Sequence, residues 1–168
     1  MTQYTDAEIL RLSALQQARA VREGSLSAVQ LAELYLARIH THNDALRAFV
    51  SVQGSRALQE AKRADQLSAQ VPASQLPLLH GVPIGIKDLV PTRWSPTRLG
   101  SRAFKYFISP SDGLVAKRIK AGGLISLGKL ATSEFGVMPV TEPEIHPPTR
   151  NPWDTQRTSG GSSGGSSA

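Results

Sequence analysis

Cysteine is absent from this 168-residue chain, which excludes disulfides, thiolate catalysis and cysteine-based metal sites. The N-terminal segment has no basic region followed by an apolar core, so no secretory signal is visible, and we expect a cytoplasmic protein. Long apolar runs are missing too. The longest uncharged stretch of real apolar content, residues 121–127, is far too short to cross a bilayer, and we expect no membrane association.

Aromatic residues make up only 5% of the chain, although lysine and arginine outnumber the acidic residues by 19 to 13. The basic residues are scattered, and the densest group, at positions 117, 118 and 120, falls on one expected helix. Nucleic-acid interfaces combine a concentrated basic patch with interleaved aromatic side chains. This composition therefore argues against direct nucleic-acid binding as the main role.

The first third of the chain has the signals of helices. Thr5 and Glu8 form a capping-box pair, and Gly24 would end the helix that they begin. Ser27 and Gln30 repeat the pair for a second helix. The apolar residues of the first helix recur at helical spacing: Ile9, Leu12 and Leu15. We expect an N-terminal helical region over residues 1–70, interrupted by a short strand at Phe49–Val52 and including an amphipathic helix over Arg56–Leu67.

The remainder, residues 71–168, has a different pattern. Short apolar runs at 82–86 and 124–127 are consistent with buried strands, and residues 111–120 between them favour a helix. A helix between short apolar strands predicts an α/β architecture. The division at residue 70 therefore separates a helical region from the start of an α/β core.

Lys87 follows the first of these apolar runs directly. Burial beside a core disfavours the charged ammonium and lowers the pKa of a lysine, which can make it a general base. The alternative is that Lys87 pairs with Asp88 or extends into solvent at a strand end.

The C-terminal residues 160–168 are almost entirely glycine and serine. Such composition is typical of flexible linkers, and glycines followed by hydroxyl residues also form anion-binding turns. The segment that precedes it, Thr149–Asp154, contains turn-forming residues and a tryptophan, and no break in composition separates the two. That continuity argues against a linker.

Six sequence blocks follow one another along the chain: Gly81–Asp88, Gly100-Ser101, Gly128-Lys129, Glu134-Phe135, Arg150–Asp154 and Gly160–Ser166. In this order they resemble the amidase signature family, which includes small-amide hydrolases, fatty-acid amide hydrolases and the A subunit of the aminoacyl-tRNA amidotransferase. The resemblance implies a mixed central sheet covered by helices, of which this chain would supply only the N-terminal part.

The family uses a Ser–Ser–Lys triad and no metal or organic cofactor. Lys87 matches the catalytic lysine, and Ser162 matches the bridging serine, whose preceding peptide bond is cis in the family. A neutral lysine can take a proton from a nucleophilic serine through the bridging hydroxyl. Ser163 would be a neighbouring hydrogen-bonding residue, with a satisfied turn hydroxyl as the alternative. Ser166 and Ser167 would begin the helix that follows.

The nucleophilic serine of the family lies a couple of dozen positions beyond the bridging serine, past Ala168. We therefore expect a truncated chain that holds two of three catalytic residues and does not turn over amides by itself. Three positions depart from the family's pattern, namely Leu89, Arg98 and Ala131, and they put substrate preference in doubt more than membership.

The resemblance implies that the complete protein hydrolyses a small-molecule amide to an acid and ammonia or an amine. One alternative is the A subunit of a tRNA-dependent amidotransferase. Another is a non-catalytic remnant, or a component that works as an oligomer or with a partner subunit.

Overall fold

The computed structural model describes residues 4–168 and has a mixed α/β fold. The helices are α1 (Asp6–Ile9), α2 (Ala14–Arg22), α3 (Ala28–Leu46), α4 (Gly54–Gln70), α5 (Leu114–Ala121) and α6 (Gly164–Ser167). The strands are β1 (Phe49–Val52), β2 (Pro83–Lys87) and β3 (Ile125–Leu130). Within the part of the chain that the structure describes, no helix is both long and apolar enough to cross a membrane.

The strands form one sheet in the order β1-β3-β2. β1 is antiparallel to β3, with Phe49 opposite Leu130 and Val52 opposite Gly128. Two hydrogen bonds, from Ile125 N to Val82 O and from Asp88 N to Leu130 O, show that β2 and β3 run in the same direction. The sheet is therefore mixed, and the strands predicted from the apolar runs are confirmed.

The first predicted helix is wrong in one respect, because it is two helices. Ser13 accepts a hydrogen bond from Gln16 N, and the Gln16 side chain accepts one from Ser13 N. This second capping box begins α2 within the stretch predicted as continuous. The break turns Leu15 outward, with 55% of its surface exposed, whereas Ile9 remains buried.

The chain forms two compact units that alternate along the sequence. The first contains the chain up to Ala37, then Gln53–Ile84 and Arg118–Leu127. Its apolar core is built from small and branched side chains of α2, α3 and α4, among them Val21, Leu31 and Ala57. The first backbone N–H groups of α3, like those of any helix, have no acceptor within the helix. The carboxylate of Asp65, on α4, accepts hydrogen bonds from the first two of them.

The second unit contains Arg38–Val52, Gly85–Lys117 and Gly128–Ala168. Its interior is rich in hydroxyl groups, which accept and donate hydrogen bonds between its loops. The fully or nearly fully buried ones belong to Thr92, Ser95, Thr97, Thr132, Ser133, Thr141 and Thr149. A polar interior of this kind needs specific partners, because an unpaired buried hydroxyl is costly.

Candidate active site

Lys87 is the last residue of β2 and lies in the second unit with all the residues described below. Its Nζ donates hydrogen bonds to two hydroxyls, 2.8 Å to Ser162 Oγ and 2.7 Å to Ser163 Oγ. These residues are some 75 positions apart in the sequence. The fold therefore brings together all three residues that the sequence analysis singled out.

The position of Lys87 is set by the two residues before it, which pack tightly in β2. Ile86 is 2% exposed and anchors the strand in the core. Gly85 lies against Leu130, and a Cβ at Gly85 would come within 2.7 Å of that side chain. Lys87 itself is partly buried, and the loss of hydration lowers its pKa below the ordinary value for lysine. Its ammonium points to the two serines and is not extended into solvent at the strand end.

The glycine–serine segment is anchored by specific hydrogen bonds. The carbonyl oxygen of Ser162 accepts one from Thr132 Oγ1 at 3.1 Å and one from Ser133 N at 3.3 Å. The next residues are held as well, since Gly164 N donates to Thr141 Oγ1 and Gly165 N to the carbonyl of residue 131. The Gly161–Ser162 peptide bond is cis. The segment is therefore anchored to the rest of its unit and is not a free linker.

Glycine is required in this segment because its backbone lies against other backbone. A Cβ at Gly161 would lie 2.7–2.9 Å from backbone atoms of Pro139 and Val140. A Cβ at Gly165 would overlap backbone atoms of Ala131 and Ala48. Gly161, before Ser162, and Gly165, three residues after it, therefore let the loop pack closely enough for the Ser162 hydroxyl to reach Lys87.

Ser163 and the residues after it continue from the loop into α6. The Ser163 hydroxyl accepts from Lys87, and its carbonyl accepts from Ser166 N at 2.9 Å and Ser167 N at 3.2 Å. Ser166 and Ser167 are thus part of a short helix, as expected, and Ser163 links this helix to the amine.

A buried ion pair beside Lys87 was not recognised in the sequence. Lys129 is completely buried in β3, and its Nζ lies 3.4 Å from Oδ1 of Asp88, which is 3% exposed. The signal was present: a lone lysine within a six-residue apolar strand has to find a partner, and an aspartate directly follows another strand. Burial lowers the pKa of Lys129 and raises that of Asp88, and the attraction between them opposes both shifts.

Leu89, one of the positions that depart from the family's pattern, borders the serine loop. Its side chain lies against Gly136, where an added Cβ would be 2.6 Å from Leu89 Cδ1 and 3.9 Å from Ser162 Oγ. Arg98, the second such position, donates its backbone N–H to Asp88 Oδ2 at 3.1 Å. Both substitutions therefore fall on the immediate surroundings of the candidate site.

Chemically, the arrangement is an amine of lowered pKa in contact with two hydroxyls. An amine that loses its proton can accept one from a hydroxyl, so the arrangement has the groups that a proton transfer needs. Across residues 4–168, no group of three or more histidine, aspartate or glutamate side chains is placed to hold a metal ion.

Comparison with known proteins gives a consistent result. The family model described as Amidase matches residues 30–168. The chain is 40% identical over 161 residues to the A subunit of the glutamyl-tRNA(Gln) amidotransferase of Thermobifida fusca, and the match covers 96% of this chain and 32% of that protein. The chain thus spans about a third of the length of such curated relatives.

Solved structures show the same correspondence. A 6-aminohexanoate cyclic dimer hydrolase superposes with a TM-score of 0.81 at 30% identity, over 92% of this chain and 30% of that one. A bacterial aryl acylamidase of the amidase signature family superposes with a TM-score of 0.85 at 25% identity, over 92% of this chain and 32% of that one.

Proposed function

Because this chain belongs to the amidase family, we propose that it carries the lysine and the bridging serine of an amide-hydrolysing Ser–Ser–Lys triad. The observation that supports this most directly is the pair of hydrogen bonds from Lys87 Nζ to Ser162 Oγ and Ser163 Oγ. The lowered pKa of Lys87 favours its neutral form, which a proton acceptor requires.

In the proposed reaction a serine contributed by sequence beyond these 168 residues attacks the carbonyl carbon of the amide. Its O–H proton passes to Ser162 Oγ as the Ser162 proton passes to Lys87 Nζ, and the new C–O bond forms while the carbonyl π electrons move onto oxygen. When the oxyanion collapses and the C–N bond breaks, Lys87 Nζ returns its proton to Ser162 Oγ and the Ser162 proton passes to the departing nitrogen. Water then hydrolyses the acyl-serine to the acid. Ser163 Oγ accepts the second hydrogen bond from Lys87 Nζ and so helps to keep the amine directed at Ser162.

We propose that the 168-residue chain by itself does not turn over amides, since the serines near Lys87 are assigned to relay and positioning. Without a nucleophile the covalent route is lost, whatever the remaining groups contribute. The complete protein would act on a small-molecule amide.

The second candidate is one component of a tRNA-dependent amidotransferase that works with partner subunits. It is favoured by the identity of 40% to the A subunit of a glutamyl-tRNA(Gln) amidotransferase. The two candidates share the Lys87–Ser162 chemistry and differ in what happens to the ammonia. A non-catalytic role for the chain would instead leave Lys87 and Ser162 without effect on hydrolysis.

A chimera tests the assignment. Residues 1–168 would replace the matching third of the Thermobifida fusca relative, and ammonia release would be measured from glutamine and from propionamide. We expect release from at least one of them, and we expect Lys87→Met and Ser162→Ala each to lower it by about 10³-fold or more. Matched controls are Lys117→Met and Ser166→Ala, which remove the same groups elsewhere.

The substrates separate the candidates. Preference for glutamine, raised further by the relative's partner subunits, would favour the amidotransferase, and preference for propionamide would favour a simple amidase. Undiminished release in the Lys87→Met or Ser162→Ala chimera would refute the assigned roles. The isolated 168-residue chain, assayed in parallel, should release no ammonia above the blank.

A further inference from the structure

The buried pair of Lys129 and Asp88 is not used in the proposed proton transfer, and it adjoins the residue that is. Asp88 is the next residue after Lys87, and all of its backbone polar groups are bound: its N–H donates to Leu130 O at 2.9 Å, and its carbonyl accepts from Leu99 N at 3.1 Å. Its Oδ2 accepts from the Arg98 backbone at 3.1 Å. Hydrogen bonds therefore hold both the backbone and the side chain of Asp88 in place.

The ammonium of Lys129 holds the other end of the same turn. It donates to Val90 O at 2.7 Å and to Thr97 Oγ1 at 3.1 Å. Val90 in turn donates its N–H to the carbonyl of Lys87 at 3.0 Å, which closes the turn that follows β2. The buried ammonium of Lys129 thus forms an ion pair with Asp88 and a hydrogen bond with the carbonyl of Val90.

The ion pair of Lys129 and Asp88 is expected to contribute little to the free energy of folding. Both side chains are almost completely removed from solvent, and desolvation of two charges commonly offsets their attraction. The Asp88 Oδ1 atom accepts no hydrogen bond within residues 4–168, so the carboxylate meets the ammonium at ion-pair distance only. A buried charge pair of this kind is best explained by the geometry that it imposes.

We propose that Lys129 is a positioning residue for Lys87, because it clamps the turn formed by residues 87–90 and so directs the Lys87 amine at both serine hydroxyls. This inference rests on the proposed function, in which Lys87 and Ser162 exchange a proton. It assigns to Lys129 no contact with the substrate and no step in the proton transfer. Its effect passes through the backbone of Asp88 and Val90.

The test measures whether Lys87 still senses Ser162 when Lys129 is removed. The chain is produced with ¹³C at the lysine Cε, the Lys87 signal is assigned with Lys87→Arg, and its titration is followed by NMR. Ser162→Ala removes a hydroxyl that accepts from the ammonium, so it should lower the pKa of Lys87 in the unaltered chain. In the Lys129→Met background the same substitution should shift that pKa by less than half as much. Lys117→Met, which removes an exposed lysine of α5, should leave the full shift.

A second variant serves as the control for loss of folding. Lys129→Met alone leaves Asp88 charged, buried and unpaired, whereas the double variant Asp88→Asn/Lys129→Met leaves no uncompensated charge. The double variant should fold, as judged by circular dichroism, and should also show less than half the shift.

The outcomes are distinct. A full-sized Ser162→Ala shift in both Lys129 variants overturns the positioning role and reduces Lys129 to a structural residue. No Ser162→Ala shift even in the unaltered chain overturns the Lys87–Ser162 pairing, and therefore the proposed function itself. A shift that is present in the unaltered chain and reduced in both variants supports the inference.

Discussion

Gly161→Ala is the substitution that most directly tests how the serine loop is seated. The glycine precedes Ser162, and its backbone lies against that of Pro139 and Val140. The neighbouring Gly160 offers a matched control, because nothing lies within 4 Å of the position that its Cβ would take. Gly160 has φ +78°, so alanine there is strained but does not collide with anything.

The size of the effect follows from the distances. Moving the shortest contact of the new Cβ from 2.7 Å to 3.4 Å, where ordinary contact begins, needs a displacement of about 0.7 Å. If the loop moves away from Lys87 by that amount, the 2.8 Å bond to Ser162 lengthens to about 3.5 Å, beyond the useful range of a hydrogen bond. Overpacking of this kind costs about 1–3 kcal/mol, against about 1 kcal/mol for the left-handed backbone at Gly160.

Two measurements check this prediction. Urea denaturation of the two variants should show that Gly161→Ala lowers the free energy of unfolding more than Gly160→Ala does. NMR titration should show a fall in the pKa of Lys87 in Gly161→Ala only, because a hydroxyl that accepted from the ammonium has moved away. The steric reasoning is refuted if Gly161→Ala is as stable as the unaltered chain and titrates like it.

Three further predictions concern the anchor of the serine loop, the amine of Lys87 and the start of α3. Thr132→Val removes the hydroxyl that donates to the Ser162 carbonyl, and it should lower the free energy of unfolding by about 1 kcal/mol in urea; an unchanged midpoint would contradict this. Since burial lowers the pKa of Lys87, its acetylation by acetic anhydride, followed by mass spectrometry, should reach half of its maximal rate at a lower pH than that of the free model compound Nα-acetyl-lysine amide; coincident profiles would argue against the shift. Asp65→Ala removes the carboxylate that caps α3 and should cost about 1–2 kcal/mol, with loss of helical circular dichroism at a lower temperature; Asp65→Asn, which keeps an acceptor, should recover much of the loss.

Much of the local structure was predictable because its causes are local. The run Phe49–Val52 is a strand with the predicted bounds, and the run predicted at 82–86 is a strand at Pro83–Lys87, shifted by one residue. The split of the first helix was missed although its cause is also local. Ser13 and Gln16 have the spacing of a capping box, which marks a helix start that the regular spacing of the apolar residues does not show.

The candidate site was predictable only in part. The position of Lys87 after an apolar run marks it as a candidate base, but its pairing with Ser162 was predicted from the family resemblance alone, since no rule of spacing brings residues so far apart in sequence into contact. The apolar neighbours of Lys129 indicate that it is buried, but they do not indicate which residue it pairs with. Its place depends on strand order, because β3 lies between the other two strands, and that order is set by tertiary packing.

The way in which Ser162 is held has a kinetic consequence. Its carbonyl oxygen accepts hydrogen bonds from Thr132 and Ser133, and its hydroxyl oxygen accepts one from Lys87, so the hydroxyl proton can be redirected by rotation about the Cβ–Oγ bond while the heavy atoms stay in place. Such side-chain rotations take picoseconds to nanoseconds, whereas enzymes commonly turn over at about 10 s⁻¹. The proton relay proposed for Ser162 would therefore require no backbone rearrangement, and rotation of its hydroxyl would be too fast to limit the proposed reaction.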